Sequence, residues 1–514
     1  MIRYGTPAAR WVLGAAVLGS GIAFLDSTVV NVALPAIADD LDADVQGLQW
    51  VVDAYLVTLA SLILLGGSLG DLYGRRRVFV AGLVVFTVAS VACGAAPTIP
   101  MLVLARAVQG IGAALLVPGS LAIVSAVFHP DDRSTAISAW SGLAGISTAI
   151  GPFAGGWMIT AISWRLVFLI NLPLAAIAVA MTVRHVPETR DDDMTERVPD
   201  VPGAVVVAIG LGGIAFGLIE SQTVAVVVGV VALVVFVLVE RSRSHPMLPL
   251  EIFRSSQFTG ANLATLAVYA ALIGVTFLLV LHLQEVLGYS PTEAGAALVP
   301  DTLIMLVLSP RIGRLAQRIG PRIPMTIGPL VVGLGLLMMG SIGEGSGYVQ
   351  TVLPAVVVFG LGLAITVGPL TSAVLAAVED RHLGVGSAVN NAVARIAGLL
   401  AVAILPGVVG LTGEGLDSTA LADGFPRAAR LGAALCVVGA AVAWATIRKA
   451  TPVDHVAQPA MDHGCADPCV KQSSSAIGKK RANKFNPSPE FSKILRVRLI
   501  GQLRLSRKTK CQKF

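Results

Sequence analysis

Five charged side chains interrupt otherwise apolar stretches of this chain: Asp26, Asp53, Arg106, Asp301 and Arg395. If those stretches cross a bilayer, each charge costs a few kcal/mol to insert and marks a candidate functional position. Asp26 stands in "FLDSTVVNVALP", Phe24 to Pro35, among Phe, Leu and Val. Desolvation opposes the charged form of such a carboxylate and a nearby arginine favours it, so its proton affinity depends on which side is open to water. That is the chemistry a proton-coupled exchanger needs.

The elements that would hold these charges are membrane helices. Of 514 residues, 55% are hydrophobic and 13% charged, against about 25% charged in a soluble domain. Fourteen stretches between residues 11 and 447 are long enough to span a bilayer as helices. With an internal amino terminus, nineteen Arg and Lys fall in cytoplasmic segments and only Arg165, Arg427 and Arg430 in outer loops, as the positive-inside rule requires. The expectation is an all-α integral membrane protein of the cell membrane, multi-pass, with both termini cytoplasmic. Ala, Gly, Val and Arg richness with a single lysine before residue 450 points to a GC-rich bacterial genome.

Two longer cytoplasmic connections, residues 184–200 and 240–257, bracket spans seven and eight. The chain therefore divides into a six-helix bundle at 1–183, a linker region with two extra helices at 184–257, a second six-helix bundle at 258–450 and a tail at 451–514. The tail holds thirteen Lys and Arg against four acids and reads as a disordered or foreign appendage, the alternative being a polybasic segment attracted to anionic lipid. Cys93 and Cys436 fall inside spans as packing residues, and no disulfide framework is implied. The two bundles look duplicated. "GSLGDLYGRR", Gly67 to Arg76, aligns with "GRLAQRIGPR", Gly313 to Arg322, at an offset of 246, and "QGIGAALLVPG" at Gln109 aligns with "FGLGLAITVGP" at Phe359 at an offset of 250. Paired six-helix repeats place a substrate site between them near mid-membrane.

In the first of these loops Gly67, Gly70 and Gly74 permit a tight turn, Asp71 can cap a helix or pair with a cation, and Arg75 and Arg76 hold the loop inside. This loop resembles the signature of the major facilitator superfamily, in which it is thought to latch the two halves in one access state. "RAVQGIGAA", Arg106 to Ala114, is similar to the family's fourth-span motif, whose arginine is linked to proton coupling. "GISTAIGPFAGG", with Gly145, Gly151, Pro152, Gly155 and Gly156, resembles the fifth-span motif of drug and proton antiporters. "LDSTVVNVALP" and "SWRLVFLINLP", Ser163 to Pro173, are similar to stretches of the fourteen-span drug:proton antiporters. The repeat copy departs by carrying Gln317 where the first has Asp71.

At about 1.5 Å per residue, Asp26, Asp53, Arg106 and Asp301 fall at one depth in the outer part of the membrane and Arg395 somewhat lower. Three acids and two arginines could form a single network there. Asp26, Arg106 and Asp301 are the expected proton-coupling residues; Asp53, close enough to the outer surface to be solvated, ranks below them. Phe24, Tyr55, Trp140, Phe153 and Tyr269 could line a site, each with lipid or core contact as the alternative. The resemblance implies a proton-coupled antiporter exporting antibiotics or other amphipathic, often cationic compounds. An exporter of an endogenous metabolite or amino acid is the alternative, and a membrane sensor or enzyme a third. No G-x-x-x-x-G-K loop is present, so the proton gradient is the expected energy source, with no cofactor and no metal. His282 near Glu285 reads as an outer-rim contact. Expected partners are a small-molecule substrate, protons and the lipid bilayer, with no nucleic acid; a monomer is consistent with this.

Overall fold

The computed structural model describes residues 1–190, 199–243, 248–378, 383–411 and 418–447. The basic tail lies outside them. Sixteen α-helices are formed among the described residues: α1 Pro7–Leu41, α2 Val45–Tyr73, α3 Arg75–Gly94, α4 Ile99–Val127, α5 Pro130–Ala161, α6 Leu166–Leu169, α7 Asn171–His185, α8 Val201–Ile219, α9 Thr223–Ser242, α10 Ser256–Glu285, α11 Pro291–Ala297, α12 Val299–Ile319, α13 Arg322–Met339, α14 Leu353–Leu375, α15 Leu383–Val408 and α16 Ser418–Thr446. Thirteen segments built from them are long and apolar enough to cross a membrane. The helix α5, a continuous 32 residues packed along α1, is not among the thirteen.

Local chemistry fixes the helix ends. Thr6 accepts from the Ala9 amide at the start of α1, with Pro7 in the first turn where its missing N–H is harmless, and Asp42 closes the helix in the left-handed region. Asp44 caps α2 through Gly47. Gly74, at φ +106°, separates α2 from α3, and Gly320, at φ +85°, stands at the corresponding break between α12 and α13. A side chain at either would be strained.

The duplication read from the sequence recurs as contacts. A Cβ on Gly112 of α4 would meet the Phe86 backbone of α3 at 2.6 Å, and one on Gly362 of α14 would meet the Val332 backbone of α13, again at offsets of 250 and 246. Gly110 packs likewise on the Tyr55 carbonyl and Gly360 on Asp301. Helices without side chains at these crossings can lie close and gain dispersion contact.

The set α1–α7 meets the set α10–α16 at the end of the bundle poor in arginine. Gln49 donates to the carbonyls of Val402 at 2.6 Å and Ala403 at 3.2 Å, Gln284 donates to that of Val32, and Thr292 bonds Thr160. All the described hydrogen bonds between the two sets lie at this face. The hairpin α8–α9 docks on α2, where the Trp50 indole donates to Glu220 at 2.9 Å and Gln46 to the Ile219 carbonyl. At its other end Glu240 accepts from the Leu248 amide and Arg243 pairs with Asp200.

Candidate functional site

Asp26 and Arg106 meet. Arg106 Nη1 lies 2.6 Å from Asp26 Oδ2, with the arginine 1% exposed and the carboxylate 0%. The guanidinium also donates to Gln109 Oε1 at 2.6 Å and, from Nε, to the Val51 carbonyl at 3.0 Å. Asp26 Oδ1 accepts from Gln109 at 2.8 Å and from Asn171 at 3.1 Å, and both amides donate to Ser90 Oγ. The Tyr55 ring covers the guanidinium, its centroid 4.4 Å from Cζ. A buried ion pair is tolerable when its remaining donors and acceptors are satisfied, and here five helices, α1, α2, α3, α4 and α7, supply the partners. Sequence reading missed Gln109, Asn171 and Ser90. Gln109 lies three residues after Arg106, the spacing that puts two side chains on one helix face, and could have been found that way.

The single network of five charges is not formed. Asp53 is 0% exposed and neither of its carboxyl oxygens has a hydrogen-bond partner. Depth along α2 suggested solvation; depth ignores lateral packing, and α15 and α4 lie along α2 there. Asp301 is half-buried, and its Oδ1 accepts from the adjacent Thr302 at 2.9 Å. Arg395 is half-buried and makes no ion pair or hydrogen bond among the described residues; the Phe24 ring stands 5.9 Å from its Cζ. Of the other aromatic candidates, Trp140 donates to Ser20 Oγ, Phe153 is 49% exposed, and Tyr269 is half-buried on α10. His282 is wholly buried, stacked on Phe425 with Nε2 2.9 Å from the Ile342 carbonyl, rather than set at a rim with Glu285. Cys93 and Cys436 are buried thiols.

The signature loop is held within the amino-terminal helices. Asp71 pairs with Arg75 at 2.7 Å one helical turn on, while Glu188, which the sequence reading passed over, accepts from the Arg76 amide at 3.0 Å and lies 3.7 Å from the side chains of Arg76 and Arg77. Gly67 and Gly70 leave room beside Pro118 and Arg75. In α5, a Cβ on Gly155 would meet Val29 at 2.6 Å, and Gly151 lies against Thr28, so this motif closes α5 on α1. Gly156 packs on the Pro291 backbone and Pro152 on Gly295, tying the same helix to α11. The surroundings of Gly145 and of Gln317 lie outside the described residues.

Comparison with known proteins agrees with this architecture. Residues 16–402 match the family model of the Major Facilitator Superfamily. The chain is 34% identical over 402 residues to the multidrug resistance protein Stp of Mycobacterium tuberculosis, covering 76% of this chain and 74% of that one. It is 36% identical over 401 residues to the methylenomycin A resistance protein of Streptomyces coelicolor, covering 76% and 83%. A bacterial homologue of the lysosomal transporter Spinster, solved inward-facing and unoccupied, superposes with a TM-score of 0.63 at 17% identity over 87% of this chain and all of that one. The chain belongs to the Major Facilitator Superfamily and is a membrane transporter, not an enzyme.

Proposed function

We propose that this transporter is a proton-coupled antiporter with fourteen spans and both termini cytoplasmic, exporting antibiotics or related toxic compounds across the cell membrane. Its resistance-protein relatives support the cargo class. The observation that carries the coupling is the contrast between two buried carboxyls: Asp26 has a cation and two amide donors, and Asp53 has no partner on either oxygen. An isolated buried carboxylate costs several kcal/mol, so Asp53 in this conformation is the neutral acid. Opening the face poor in arginine to water, or bringing a cation near, would release that proton. Asp26 and Arg106 then serve as the fixed charges that α1 and α4 carry through the cycle.

With the arginine-rich loops cytoplasmic, the sealed face is the outer one and the conformation described is closed to the outside. The proton gradient is the energy source in this reading, with no cofactor. A panel including methylenomycin A in inverted membrane vesicles tests it. Addition of a substrate should collapse a preset pH gradient, and Asp53→Asn or Asp26→Asn should abolish the collapse while the protein still inserts. The reading fails if no compound dissipates the gradient and an imposed gradient drives no uptake.

A further inference from the structure

Among the described residues, Arg395 is the cation within the membrane helices that has no hydrogen-bond or ion-pair partner. Arg106 spends its donors on Asp26, Gln109 and Val51, whereas Arg395, at the middle of α15, has no acceptor within hydrogen-bonding distance and no carboxylate within ion-pair distance among the described residues. Its side chain is half-buried, and none of its nitrogens is sealed from solvent. It stands on α15, which packs against α2 and α10, with the Phe24 ring of α1 centred 5.9 Å from its Cζ. The available acids are committed elsewhere: Asp26 to Arg106, Asp301 to Thr302, and Asp53 is buried away from any donor.

One approach to Arg395 is polar. Ser387 and Asn391 precede it at four-residue intervals and so share its face of α15, and all three are half-buried. That stripe runs toward the arginine-rich end of the bundle. In the other direction the helix is closed over by Leu399 and Val402, both 0% exposed, and by the Gln49 bond to the Val402 carbonyl. The half-buried polar stripe thus leads from the arginine-rich end to a planar guanidinium with unfilled donors and stops at the packed outer part of α15.

We propose that Arg395 is the recognition residue for an anionic group, a carboxylate or acidic phenol, on an aromatic cargo whose ring lies against Phe24. A guanidinium offers two parallel donors that match a carboxylate, and such a charged pair discriminates strongly when partly desolvated. The assignment rests on the exporter reading and replaces the expectation of cationic cargo with its opposite.

The test uses the purified full-length chain in detergent with a matched pair of ligands, anthraquinone-2-carboxylate and anthraquinone-2-carboxamide, binding being followed by microscale thermophoresis. The wild type should favour the acid. Arg395→Gln should weaken the acid by about tenfold or more and leave the amide within about twofold, the loss expected on deleting a charged hydrogen-bonding partner. Arg395→Lys, which keeps the charge without the fork, should fall between. The proposal is overturned if the wild type binds neither ligand or does not distinguish them, or if Arg395→Gln weakens both equally, which would make Arg395 a helix-positioning residue. Gradient collapse by a substrate in wild-type vesicles would leave the exporter reading standing even where this assignment falls.

Discussion

The two helix sets pack alike and are charged differently. Gly112 lies on Phe86 as Gly362 lies on Val332, and the left-handed Gly74 has its counterpart in Gly320. Yet Val356 stands at the repeat position of Arg106, and the only buried ion pair between membrane helices belongs, among the described residues, to α1 and α4. Arg395, the mid-helix cation of α15, has no acid within ion-pair distance among the described residues. Close helix approach tolerates few residue types, so duplicated packing persists; charge placement answers to what each half must bind, and it has diverged.

The sharpest way to break that comparison is to remove the two arginines separately. Arg106→Ala leaves Asp26 buried with only amide donors, which should cost about 3–5 kcal/mol and prevent accumulation of folded protein. Arg395→Ala removes no partner from any carboxylate and should leave the melting temperature in detergent close to that of the wild type. Equal losses of stability would mean that Arg395 is structural after all. Asp26→Asn combined with Arg106→Met would sharpen the point, since replacing both members of a buried pair is far milder than removing one.

Next in size are the helix crossings. Gly112→Ala and Gly362→Ala each force a methyl onto facing backbone, and an overpacked core contact of this kind costs about 1–3 kcal/mol. Similar shifts in thermal unfolding from the two variants would show that the crossings carry equal weight. A silent Gly362→Ala would show that α13 and α14 can separate where α3 and α4 cannot.

Much of the fold was legible in the sequence, because hydropathy, arginine placement and the spaced glycines each report a backbone constraint that acts locally. The pairing of Asp26 with Arg106 was legible in part: depth along two helices put them at one level, and the fourth-span motif named the arginine. Its completion by Gln109, Asn171 and Ser90 was not, since neutral amides and hydroxyls raise no alarm in an apolar helix. Asp53 was misjudged because depth is a one-dimensional coordinate. Whether a side chain at a given level faces water, lipid or another helix depends on the rotation of α2 against α15, which no single stretch encodes.

The smallest expected effect concerns how each repeat holds the same loop arginine. Arg76 is held by Glu188, whereas Arg322, at the matching position, has its guanidinium 4.1 Å from the Trp444 ring centroid. Both contacts are partly exposed, with the Glu188 side chain 27% accessible and Trp444 53%. Glu188→Gln keeps an acceptor for the Arg76 amide and removes the charge, so the loss should be no more than about 1 kcal/mol. Trp444→Leu should cost about 0.5–1 kcal/mol, the range of an exposed cation over an aromatic face. Salt separates the two. Raising ionic strength screens the carboxylate and should narrow the gap between wild type and Glu188→Gln, while the Trp444→Leu gap, set largely by ring contact, should hold. If both gaps close together, the second clasp is as ionic as the first, and the loops differ in residue type alone.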